Sequence, residues 1–194
     1  VNFSLTPLEV QFSSGDRLTF VGMYNFERLN TSFDILRDGS ILIPQGTYPT
    51  WGTEASAETA EYRLVSGTAE VEYGGFWSGT RTRLSLGTTL RPLPGLNASL
   101  NWQHRRVVLA EGDFDTHLLR FEGNVDLTPN LAITSQLQYD NLSDRLGLFA
   151  RLRWIIQPGS DLYLVYTHNW RARNDHLTPR SAETTAKLTY TIRF

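Results

Sequence analysis

The segment from Ala182 to Phe194 alternates residue by residue, and this constrains the fold more than any other feature of the chain. Ala182, Thr184, Ala186, Leu188, Tyr190, Ile192 and Phe194 share one parity. Glu183, Thr185, Lys187, Thr189, Thr191 and Arg193 share the other. One face of an extended strand is then apolar and the other polar or charged. A helix of the same sequence would scatter both classes around its circumference.

The pattern repeats upstream. Leu146, Leu148, Ala150, Leu152, Trp154 and Ile156 oppose Arg145, Gly147, Phe149, Arg151 and Arg153. Leu162, Leu164, Tyr166, His168 and Trp170 group together, as do Leu131, Ile133, Leu137 and Tyr139. Leu119, Phe121, Val125 and Leu127 oppose Arg120, Glu122, Asn124 and Asp126. Leu96, Ala98, Leu100 and Trp102 oppose Asn97, Ser99, Asn101, Gln103 and Arg105; Leu84, Leu86 and Leu90 oppose Arg81, Arg83, Ser85 and Arg91. Tight turns rich in Pro and Gly separate these runs at Pro92 to Gly95, Thr128 to Asn130 and Gln157 to Ser160. Polar and mostly longer connections are expected at Val108 to Asp113, Asn141 to Asp144 and Arg171 to Ser181.

The first quarter is less regular. Leu8 to Phe12 and Leu18 to Asn25 read as a hairpin, and residues 26–49 as one long extracellular loop that folds over or into the mouth of the structure. Tyr48 to Ser56 and Tyr62 to Phe76 read as further strands. The whole chain, 1–194, is expected to form one domain, with no linker or low-complexity tract.

Mean hydropathy is −0.29 and no cysteine is present. The first value cannot separate a soluble protein from a membrane barrel, whose alternating faces cancel. The second removes disulfides and thiolate sites. A net charge of −2 argues against nucleic acid as partner. No run of about 18 apolar residues exists to form a membrane helix.

Hairpins of about ten-residue strands are the signature of an all-β, antiparallel, up-and-down transmembrane β-barrel of the Gram-negative outer membrane. About 10 or 11 strands are expected. A closed barrel of this kind has an even number, so the chain reads as the C-terminal part of a larger barrel with earlier strands missing. The lumen-facing set is Arg81, Arg83, Arg105, Arg120, Glu122, Arg145, Arg151, Arg153, Glu183 and Lys187. Its mixed signs favour mutual neutralisation over a channel lined by cations. Trp102, Tyr139, Trp154 and Trp170 sit near strand ends on the apolar face, as an interfacial aromatic girdle does.

Leu188, Tyr190, Ile192 and Phe194 form a terminal aromatic preceded by apolar residues at alternate positions. This is similar to the signal read by the barrel-assembly machinery, an expected partner beside outer-membrane lipid. Another protein, or the missing N-terminal segment, is a further partner. His104, His117 and His168 fall on the apolar face near strand ends and His176 in a loop. No serine is placed beside them and no metal-ligand spacing occurs, so no catalytic residue, metal or cofactor is assigned. An anchor or pore is expected. The alternatives are an outer-membrane hydrolase acting on lipid or glycan, and a soluble secreted β-protein.

The stretch from Ser143 to Trp170, SDRLGLFARLRWIIQPGSDLYLVYTHNW, resembles a family of uncharacterised bacterial outer-membrane proteins. Gly74 to Arg81, Glu111 to Leu118, Ile43 to Tyr48 and Lys187 to Phe194 carry the same likeness. Members of that family join an N-terminal domain, similar to family 9 carbohydrate-binding modules, to a C-terminal barrel. The resemblance implies a barrel for this chain and a glycan-related role for the parent protein. It transfers no catalytic residue.

Overall fold

The computed structural model describes residues 1–173 and 176–191. Among them the chain is all-β, with thirteen strands and no helix. These are β1 (Asn2–Gln11), β2 (Arg17–Leu29), β3 (Phe33–Asp34), β4 (Leu42–Ile43), β5 (Gly46–Glu58), β6 (Val65–Phe76), β7 (Gly79–Leu93), β8 (Leu96–Leu109), β9 (Gly112–Thr128), β10 (Leu131–Asp140), β11 (Arg145–Gln157), β12 (Ser160–Arg173) and β13 (His176–Thr189). Eleven of them form one sheet in chain order, β3 and β4 pairing apart as a small hairpin. That is an up-and-down meander, each strand bonded to its neighbours in sequence.

The chain divides into two compact units. The first holds β1 to β5, β6 from Ser66 onward, the start of β7, the end of β8 and the first residues of β9. The second holds the rest of β7 and β8, most of β9, and β10 to β13. In the second unit the register fixes the two faces. Leu137 lies opposite Phe121 and Leu148, and Leu152 opposite Ile133 and Leu164. On the other face Gln138 lies opposite Arg120, Thr134 opposite Arg151, and Glu183 opposite Thr167. Since side chains alternate strictly, a slip by one residue would exchange the faces.

Buried apolar side chains among the described residues are few: Ile41, Ile43, Ala60, Val107 and Leu109. Phe20, Leu86, Phe121, Leu137 and Trp154 are exposed on the apolar face, and Leu164 is 43% exposed in the middle of β12. A soluble sandwich would bury such residues between its sheets. Here, among the described residues, these side chains stay open on the apolar face.

Three connections differ from the sequence expectation. Residues 26–49 are not all loop: Phe26 pairs with Pro49 and Leu29 with Gly46, so the connection shrinks to 30–45. The expected loop at Val108 to Asp113 is a turn at Ala110 and Glu111, because β8 continues to Leu109. Ser78 Oγ fastens it, accepting from the Ala110 N–H at 3.3 Å and donating to Glu111. Strands β12 and β13 pair out to Arg173 and His176, across most of the segment expected as the Arg171 to Ser181 loop. A β-bulge between Asn169 and Trp170 absorbs the extra residue. Pro179 falls in β13, which among the described residues is the last strand of the ladder, a position where proline's missing N–H is tolerated. Short turns therefore occupy both ends of the meander, and 30–45 is its one long connection among the described residues.

Gly52 and Gly74 face each other across β5 and β6. A Cβ on Gly74 would stand 2.5 Å from Gly52 Cα and 2.8 Å from the Trp51 carbonyl oxygen. Both obstacles are backbone, so the strands would have to part. Gly74→Ala is expected to destabilise the protein by about 2 kcal/mol in urea titrations from lipid vesicles. Gly22→Ala is the control: its nearest obstacle lies at 3.9 Å, and the change should be neutral or slightly stabilising.

Candidate functional site

The polar face of the first unit gathers charge. Register puts Glu54 opposite Glu72 and Ser56 opposite Glu70. Three carboxylates so placed would repel one another. Arg83 on β7 compensates, contacting Glu54 at 3.0 Å, Glu70 at 2.5 Å and Glu72 at 2.7 Å. Arg81, two residues earlier on the same face, pairs with Glu72 and lies over the Phe76 ring at 4.7 Å. Gln103 donates to Ser85 Oγ at 3.2 Å, and Arg105 shares the parity of Gln103 on β8. Of these residues Arg81, Arg83 and Arg105 stand in the polar-face set expected from the sequence, and Glu54 does not.

Arg83 is the hub of this network. Arg83→Met leaves partly buried carboxylates uncompensated, at a cost of several kcal/mol for a fully buried pair. The group keeps about a quarter of its exposure, so solvent screening reduces the expected loss to about 2 kcal/mol. Adding Glu70→Gln to Arg83→Met should recover part of that loss in a double-mutant cycle.

Toward the long connection the same parity turns apolar. Val107 and Leu109 follow Arg105 on β8, and Phe76 follows Glu72 and Gly74 on β6. The 30–45 connection sits on them. Ile41 and Ile43 bury against Val107 and Leu109, with Leu29, Ile35, Leu36, Tyr48, Phe76, Trp77 and Phe114 packed around. Ile43 has no exposed surface.

The connection is also organised within itself. Asp34 Oδ1 accepts from the N–H groups of Leu36 and Arg37, and Oδ2 from that of Gly39. The Ile35 N–H donates to the Ile41 carbonyl, and the Tyr48 hydroxyl to that of Pro44. Ser40 donates to Asp38 from both its hydroxyl and its N–H, the hydroxyl first in effect, and holds that carboxyl below its ordinary range. Trp77, at φ 46°, donates its indole N–H to Glu27 at 2.9 Å. The loop is thus seated on the polar face, above the Glu–Arg network.

In the second unit Arg120 donates to Gln138 Oε1 at 3.1 and 3.2 Å, and Glu122 lies opposite Gln136. Arg153 meets Asp161 at 3.4 Å and stands over the Tyr163 ring. Arg151 lies opposite Thr134 and Val165, and Lys187 opposite Tyr163. Arg145, at the start of β11, lies opposite Asp140 and Arg171.

On the apolar face Tyr139 and Trp170 both flank Leu146 at one end of β11, and Trp154 lies beside Leu131 and Leu162 at the other. Trp102 stacks on His117, and Trp170 on His168, which shares a 2.7 Å hydrogen bond with the Tyr166 hydroxyl. His104 lies 3.1 Å from Asp115. Among the described residues no group of three or more His, Asp or Glu is placed to hold a metal.

Leu188 and Tyr190 are exposed, Leu188 opposite Leu162 and Tyr190 just past the end of β13. Ile192 and Phe194 lie outside the described residues. Thr191 is clasped by the preceding turn: its N–H donates to the fully buried Ser160 Oγ at 3.0 Å and its hydroxyl to the Gly159 carbonyl.

No family model matches the chain, and no curated protein does. Solved structures similar to it include two porins. One is the KdgM porin in complex with disordered oligogalacturonate, at 12% identity and a TM-score of 0.39, covering 99% of this chain and 92% of that one. The other is the NanC porin in a rhombohedral crystal form, at 9% identity and a TM-score of 0.40, covering 98% and 93%.

Proposed function

We infer that the chain is an integral β-barrel domain of a Gram-negative outer membrane, acting as a pore or as the membrane anchor of a larger protein. One observation carries this reading. Large apolar side chains stand uncovered at alternate positions along strand after strand, while the opposite face is charged. Water would penalise that surface at roughly 25 cal/mol per Å² of apolar area, whereas a bilayer is the solvent that matches it. Rolled so that the apolar face meets lipid, the sheet encloses its charges and the seated 30–45 connection in a lumen. The likeness of Ser143 to Trp170 to barrels joined to carbohydrate-binding modules supports a glycan-related role for the parent protein.

Planar-bilayer recording of the purified chain tests the pore. Discrete conductance steps identify a pore. A chain that folds in detergent, shown by a heat-shifted gel band, yet yields no steps is an anchor. A chain that folds in water without detergent is neither.

A further inference from the structure

We propose that Arg145, Arg171 and Arg180 form a binding site for an oxyanion on the polar face. Arg145 and Arg171 are direct cross-strand neighbours on β11 and β12. Two cations so opposed repel, and sheets ordinarily avoid the arrangement. Arg180 is the extra residue of the β13 bulge: Asn169 pairs with Ser181 and Trp170 with Pro179, leaving Arg180 between them. Bulges re-aim a side chain out of the regular alternation, and this one brings a third guanidinium to the same concavity.

The concavity has a volume of about 510 Å³, and Ser143, Asn169, Trp170 and Ser181 line it together with the three arginines. Asn169 donates to Ser181 Oγ at 3.1 Å, which fixes the floor. Among the described residues no acid lines it, and none of the three arginines enters an ion pair. The nearest register partner with a carboxylate, Asp140, is engaged elsewhere: it accepts from the Leu142 N–H and the Ser143 hydroxyl at 2.9 Å each. In the first unit, by contrast, Arg81 and Arg83 share Glu72, and Arg83 also meets Glu54 and Glu70. Among the described residues, no carboxylate within ion-pair distance compensates the three arginines here.

Planar guanidinium forks match carboxylate, sulfate and phosphate, and hydroxyl and amide donors at the rim extend the match to an oxyanion carried on a larger polar molecule. The site rests on the barrel reading for its place in the lumen. It does not require that the lumen conducts.

The full chain folded in detergent is titrated calorimetrically with inorganic phosphate, with a uronic-acid disaccharide and with a neutral disaccharide. Saturable phosphate binding is expected, weakened about tenfold by Arg171→Gln and left within about twofold by Arg151→Gln. Arg151 stands on the same face away from the concavity. In anion-poor, low-salt buffer Arg171→Gln should also raise the unfolding midpoint by about 2 °C, by removing a repulsion, which a merely structural arginine would not do. Tighter binding of the uronic disaccharide than of phosphate, with no binding of the neutral sugar, assigns the anion to an acidic glycan. Phosphate binding alone assigns it to a free ion. Absence of saturable binding of either anion, or equal weakening by Arg151→Gln, overturns the site. A heat-shifted gel band on the same material leaves the barrel reading standing in that event.

Discussion

Leu152→Arg in β11 should lower the stability of the folded protein by about 2–4 kcal/mol in unfolding titrations from lipid vesicles, while Arg151→Leu should cost less than about 1 kcal/mol. The two residues are adjacent and lie at the same depth, so only the direction of the side chain differs. Leu152 lies between Ile133 and Leu164 on the apolar face. Arginine there must bring its charge into hydrocarbon or drag water and headgroups toward it. Arg151 lies between Thr134 and Val165 on the other face, so its loss removes no charge from lipid. Equal costs would mean that both faces of β11 meet the same solvent.

Ile43→Asp should release the 30–45 connection. Ile43 has no exposed surface and is gripped by Val107 and Leu109. Removing a buried side chain of this size costs about 2–5 kcal/mol, and a carboxylate cannot be left in its place without a partner. The loop is peripheral to the strand ladder, so the cost should appear as undocking and not as global unfolding. Proteases should then cut between residues 30 and 45, and single-channel conductance should rise where steps are seen. The Asp34 and Asp38 hydrogen bonds lie within the loop and survive its release. Asp38→Ala should therefore leave docking intact. A loop that stays resistant in Ile43→Asp would show that its seat does not hold it.

What the residues disclosed in advance follows from how periodic each segment is. From Leu131 to Leu188 nearly every position obeys one rule, apolar toward one side and polar toward the other, and strand, face and register follow from it. The rule fails where the polar face ceases to be polar. Val107, Val108 and Leu109 are apolar on both parities, as are Phe76 and Trp77, and an alternation search reads such runs as the end of a strand. They are strand ends whose inward side chains, Val107, Leu109 and Phe76, receive a loop. The signal was present on the other partner: Ile41, Leu42 and Ile43 are an apolar triplet inside an otherwise polar connection.

The charged network was half legible. Parity assigns Arg81, Arg83, Glu70 and Glu72 to one face, but pairing depends on which strands adjoin. Glu54 enters only because β5 lies beside β6 in a register that sets Glu54 against Glu72. The Arg180 bulge was not legible at all. One extra residue in a strand leaves no trace in the sequence beyond a break in alternation near Pro179, and that break reads equally well as a loop.

The most direct test of the two-faced sheet is a nitroxide scan of β11 in lipid bilayers, with single labels at successive positions from 146 to 154. Accessibility to oxygen, which partitions into hydrocarbon, should peak at 148, 150, 152 and 154. Accessibility to a water-soluble paramagnetic chelate should peak at 147, 149, 151 and 153. Two profiles in antiphase with a period of two residues place the leucine face in lipid and the arginine face in water. Profiles without that period, or with the two reagents exchanged, would contradict the membrane barrel.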